Sequence, residues 1–153
     1  MRGDLGARRN RYDRLRTLRR LARPIEAAQV RVLGGSALSV LLRTPVLVLI
    51  TTGRRSGAAR STTLAYHRLD AGNLVVVAGA GGQRRLPDWV ANLRADGSAA
   101  MVVRRTRFDV RAAELLGDDR VATWNELRRV WPQIDTYERR AGRDVPVFRL
   151  RKV

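Results

Sequence analysis

The sequence predicts an α+β, mainly β, domain: a small barrel of about six short strands with helices inserted among them. Three observations point there. Runs of strand length, either wholly apolar or alternating, recur from Val46 to Leu150. Turn residues such as Asp70, Gly72 and Asn73 separate them. The regular strand-then-helix alternation that builds a doubly wound sheet is missing. At 153 residues the chain is one domain by length, long enough to bury a core without disulfides or metals as staples.

Residues 1–42 read as a basic amphipathic helical segment ahead of a barrel domain over 43–153. Between Tyr12 and Gln29, Leu15, Leu18, Leu21, Ala22 and Ile25 fall three to four apart, so one helical face is apolar and the other carries arginine. That stripe fits a helix packed on its own domain, a peripheral anchor on anionic lipid, or a lid over a site. Pro24 bends or restarts the helix, and Gly34 with Gly35 breaks it before Ser36 to Leu42.

Val46–Thr51 is then a buried strand. Ser61–Leu69 favours β structure and, through the turn at Asp70 to Asn73, forms a hairpin with a second buried run, Leu74–Ala78. After Gly79, Gly81 and Gly82, "LPDWVANLR" predicts a short helix. Pro87 suits its first position, Trp89 and Asn92 lie one turn apart, and Asp96 with Gly97 ends it. Ala99–Val103 and Thr106–Leu115 make a further hairpin: Thr106, Phe108, Val110 and Ala112 alternate with Arg105, Arg107, Asp109 and Arg111, leaving one face wet. Asp118 or Asp119 caps a helix with Val121, Trp124, Leu127 and Trp131 on one stripe. Pro132 opens another helix ending before Gly142, and "VPVFRL" is the last strand.

Composition removes several function classes. There is no cysteine, and His67 is the sole histidine, so thiolate zinc sites, cysteine nucleophiles and histidine metal cages are excluded, and no metal site is expected. Redox chemistry therefore needs a bound cofactor. The formal charge of +17 invites a nucleic-acid partner, but thirty of the thirty-one basic residues are arginine spread along the whole chain, with few aromatics to stack bases. No specific nucleic-acid partner is expected. No run reaches the ~20 apolar residues of a membrane span. The first thirty-one residues hold ten arginines against Asp4, Asp13 and Glu26, unlike a signal peptide. The expected location is cytoplasmic, with the amphipathic helix as a peripheral contact at the inner membrane face. His67 reads as a solvent-facing strand residue without a carboxylate partner.

The stretch "TTGRRSG", Thr51 to Gly57, is the densest candidate for chemistry. Gly53 and Gly57 permit positive φ and close backbone approach, Ser56 offers a hydroxyl, and Arg54, Arg55 and Arg60 present fixed guanidinium forks matched to phosphate or carboxylate. A solvated arginine-rich hairpin turn explains the same residues. The spacing is not that of a P-loop.

That stretch, followed by "GNLVVVAGAGG", "PDWVANL" and "VWPQIDTYERRAGRDVPVFRL", resembles the deazaflavin-dependent nitroreductase and quinone reductase family, in the family's order and over about Leu42 to Leu150. The resemblance implies a six-stranded split β-barrel of the FMN-binding split-barrel type. It also implies coenzyme F420, a 5-deazaflavin with a phosphate and an oligoglutamate tail, as hydride donor to a hydrophobic acceptor such as a quinone or nitro compound. On that likeness Gly53, Arg54, Arg55, Ser56, Gly57 and Arg60 meet the anionic tail; Val77, Ala78 and Gly79 line the ring; Pro87, Trp89 and Asn92 support it. Trp89 fits a core position equally well. Tyr137 occupies the place of a substrate-pocket tyrosine able to donate to the oxygen where charge develops, with Trp131 and Ile134 beside it. Both monomers and homodimers fit the family.

Departures from the family pattern keep other readings open. Leu86, Val90 and Ala91 stand where polar or aromatic side chains are usual, Gly79 where serine is common, and Ile134 where a second tyrosine is common. A non-catalytic or lipid-binding relative, or a barrel that binds FMN or haem, fits those losses.

Overall fold

The computed structural model describes residues 44–153; the expected N-terminal helix, over 1–42, lies outside the described residues. Six strands close into an antiparallel barrel in the order β1-β2-β3-β6-β5-β4. They are β1 (Val46–Thr52), β2 (Ala59–Arg68), β3 (Asn73–Val77), β4 (Ser98–Val103), β5 (Thr106–Glu114) and β6 (Val147–Lys152). Three helices interrupt them: α1 (Asp88–Ala95), α2 (Gly117–Val130) and α3 (Ile134–Ala141). Strand boundaries match the expectation within two residues, and the barrel class stands.

Strand alternation sets the inside. Leu47 and Leu49, Leu74 and Val76, Met101, Val110, Phe148 and Leu150 share one core, as a period of two places alternate residues on one face. Because every pairing is antiparallel, the barrel has two distinct mouths. The β1–β2 turn, the end of β3 and the start of β4 lie at the upper mouth; the β2–β3 turn, the β4–β5 turn and the end of β6 lie at the lower one.

Helix α1 seals the upper mouth. Its Trp89, Val90 and Leu93 are buried in the barrel core, and Trp89 meets Phe148 edge-on with ring centroids 5.5 Å apart. Arg94 ties the helix to β5 by a bidentate pair with Glu114, Nε to Oε2 and Nη2 to Oε1 both at 2.8 Å. The Arg94 guanidinium holds the Glu114 carboxyl below its ordinary 4.5. A lowered folded pKa means the stabilisation is present above the ordinary value and is lost as pH falls through the folded one. Glu114→Gln should therefore cost about 0.5–1 kcal/mol at neutral pH and progressively less as the pH falls through the folded pKa, a trend read from urea unfolding at pH 7 and along an acid series.

A second core lies outside the barrel. Val75 and Val147 point away from the interior and pack with Leu115, Trp124, Leu127, Ile134 and Val145 under α2 and α3. Three expectations change here. The α2 stripe is Thr123, Trp124 and Leu127, while Val121 is 56% exposed; the helix begins one residue before Asp118, so that aspartate sits in the first turn with Asp119 and favours the dipole instead of capping. His67, expected to face solvent alone, lies with Nε2 2.8 Å from Glu126 on α2 and edge-on to Trp131. Fifty-nine residues separate that histidine from its partner, which is why local inspection missed it.

Candidate functional site

The turn between β1 and β2 is held by two backbone bonds, Gly53 N–H to Ala58 O and Gly57 N–H to Gly53 O, each 2.7 Å. Closing it requires Gly57 at φ 69, a region where a side chain is strained. Between these anchors Arg54, Arg55 and Ser56 stand out of the barrel wall.

Helix α1 grips that turn from behind. Asn92, 3% exposed, accepts the Arg54 backbone N–H at 3.0 Å and the Arg54 Nη1 at 3.5 Å through its Oδ1. Its Nδ2 donates to the Thr51 hydroxyl at 3.1 Å. One buried amide therefore fixes strand, turn and helix relative to one another, and both ends of its side chain are spent doing so. The amide expected to support a cofactor is committed instead to positioning the arginine turn.

In front of the turn opens a cleft of about 580 Å³. Eight of the expected residues line it: Gly53, Arg54, Arg55, Ser56, Arg60, Pro87, Trp89 and Asn92. Arg85, Asp88, Ser61 and Thr62 complete it and were not foreseen. Arg85 carried no signal in a chain where arginine is everywhere. Asp88 Oδ1 serves two guanidinium groups, Arg54 Nη1 at 3.6 Å and Arg85 Nη2 at 3.4 Å. Arg55 and Arg60 make no ion pair among the described residues. Four permanent cations thus face one carboxylate, and two of the four remain uncommitted.

The other expected residues fall outside this cleft. Gly57 shapes the turn from behind. Val77, Ala78 and Gly79 close β3 at the same mouth of the barrel, where Tyr137 packs on Gly79: a Cβ there would lie 3.0 Å from Tyr137 Cδ2. The missing serine thus makes room for the tyrosine ring. The Tyr137 hydroxyl has no hydrogen-bond partner among the described residues. Ile134 needs correction as a substrate contact, being fully buried in the outer core, where it holds α3 to the barrel; Trp131, like Tyr137, is partly buried against that core.

The arrangement is a cluster of arginines beside an apolar barrel mouth. A profile of the F420H(2)-dependent quinone reductases matches residues 21–152. The chain belongs to the F420H(2)-dependent quinone reductase family. This makes it one of an oxidoreductase family whose cofactor is coenzyme F420. The F420H(2)-dependent quinone reductase Rv1261c of Mycobacterium tuberculosis is 32% identical over 114 residues, 69% of this chain and 72% of that one. The putative F420H(2)-dependent quinone reductase Rv3178 of the same organism is 31% identical over 70% of this chain and 89% of its own.

Solved structures place this quinone reductase family member in the same barrel class. An F420-H2 dependent reductase, FDR-A, superposes with a TM-score of 0.62 at 28% identity, covering 69% of this chain and 93% of that one. A domain-swapped dimer superposes at 0.63 with 26% identity, over 82% and 96% of the two chains. The haem storage protein HutZ of Vibrio cholerae, 14% identical with a TM-score of 0.53, shares the fold alone.

Proposed function

We propose that this chain passes a hydride from reduced F420 to a quinone, with the arginine cleft gripping the cofactor's phosphate and carboxylates and the end of β3 facing its ring. The observation that carries this reading is the uncommitted charge: Arg55 and Arg60 line a 580 Å³ cleft without an ion-pair partner among the described residues. A polyanionic tail is the ligand chemistry that such a donor set fits.

The cofactor, when bound, supplies the hydride. The chain's own residues supply place and polarity. Asn92 holds the Arg54 backbone, so the turn needs no rearrangement to receive an anion. Trp89 and the apolar face of α1 keep the barrel mouth dry. Tyr137, seated on Gly79, offers its free hydroxyl to an acceptor oxygen gaining negative charge. Nitro compounds develop charge on oxygen in the same way and are a second acceptor class. Among the described residues no helix is long and apolar enough to cross a membrane. A homodimer has a precedent in the domain-swapped structure, and nothing in the comparisons favours FMN over F420.

The test is F420 titration followed by oxidation of reduced F420 with menadione. Binding with turnover supports the reading; binding without turnover on any quinone or nitro acceptor would select the non-catalytic alternative. Tyr137→Phe should lower kcat about tenfold, the scale of one hydrogen bond to a charged group, with F420 affinity unchanged. Stopped-flow loss of reduced-cofactor absorbance measures it.

A further inference from the structure

We propose that the lower mouth of the barrel is a second ligand site, for a short single-chain amphiphile with an anionic head. It lies at the opposite end from the arginine cleft and does not depend on the F420 reading. A cavity of about 190 Å³ opens there. Leu74, Met101 and Phe108 give it an apolar floor continuous with the barrel core. Arg68, Arg104 and Lys152 stand around it.

Three features make this more than the frayed end of a barrel. Lys152 occupies the inward phase of β6, two residues beyond Leu150 and four beyond Phe148, both fully inside. A lysine thus closes a column of core residues, its Nζ 3.6 Å from the Phe108 ring centroid. The β4–β5 turn is a two-residue loop, Arg104 and Arg105 between the Val103–Thr106 pair, with φ of 47 and 70. Hairpin geometry demands positive φ at both places, where Asn-Gly is the relaxed choice. The chain accepts left-handed strain at two arginines, and strained non-glycine residues cluster at binding sites.

The third feature is the lack of internal neutralisation. Asp70, in the adjoining β2–β3 turn, is held in that turn by Gly72 N–H, Asn73 N–H and Asn73 Nδ2 within 2.9 Å and makes no ion pair with these cations among the described residues. Arg68, Arg104 and Lys152 form no ion pair among the described residues. The volume limits the apolar part: engineered apolar cavities of about 150 Å³ admit benzene, so one short chain or one ring fits and a polycycle does not.

The test uses the full chain, with octanoate and octyl phosphate as probes, octanol and acetate as controls, and calorimetry with backbone NMR as readouts. At least one anionic probe should bind, roughly tenfold or more tighter than octanol or acetate, with shifts at Leu74, Met101 and Phe108; the tighter of the two identifies the head group. Arg104→Asn should weaken that probe roughly tenfold, raise Tm by relieving strain, and leave F420 affinity unchanged. Lys152→Met, which keeps packing over Phe108, should weaken it too. Absence of millimolar binding by either anion, octanol binding as tightly, shifts centred on Gly53 to Arg60, or undiminished binding by Arg104→Asn would each overturn the proposal.

Discussion

Replacing Arg55 and Arg60 together with alanine is expected to weaken F420 binding about a hundredfold at low salt, with stability changed by no more than about 0.5 kcal/mol. The affinity loss follows from two charge-assisted bonds of about 1.5–3 kcal/mol each, taken at the low end because both side chains are exposed. The small stability cost follows from the lack of an ion pair at either residue among the described residues. The same variant should flatten the salt dependence of binding, since its screened attraction is gone. Fluorescence titration from low to physiological salt, beside thermal unfolding, measures all three quantities. An unchanged affinity would remove the role given to the turn.

Asn92→Leu should behave in the opposite way, losing stability and affinity together. Leucine fills similar volume but leaves the buried Thr51 hydroxyl and the part-buried Arg54 N–H without their partner. Such orphaned groups cost about 1–3 kcal/mol each, so unfolding free energy should fall by about 2–4 kcal/mol. F420 affinity should fall about tenfold because the Arg54 backbone is no longer fixed. Asn92→Asp separates the two effects. It keeps an acceptor for Arg54 and loses the donor to Thr51, so affinity should recover more than stability does. Urea unfolding and titration of both variants give the comparison.

How much was legible follows from what kind of signal each residue carried. The strands were readable because burial on alternate or successive positions is written in local pattern: Val46 to Thr52 is buried through its centre, and the second half of β5 alternates, with Val110 and Ala112 buried and Arg111 exposed. The arginine turn was readable because glycine and charge concentrate in seven residues, and its eight lining residues do converge on one cleft. What failed was pairing at a distance. The Asn92 clamp joins positions 38 and 41 residues apart, and nothing about an isolated asparagine distinguishes a cofactor ligand from a tether. Ile134 was misplaced for the same reason, because an apolar residue on a helix shows that it is buried but not against which surface. Arg85 was lost in the background of thirty arginines.

The place of β6 in the ring has a consequence for how the protein is made. It hydrogen-bonds to β3 on one side and β5 on the other, so until Val147 to Lys152 has been synthesised both neighbours keep bare edges. A nascent chain paused before that strand holds five of the six strands and no way to shut the ring. Completion must follow emergence from the ribosome, and the interval is when edge-to-edge association with another copy competes.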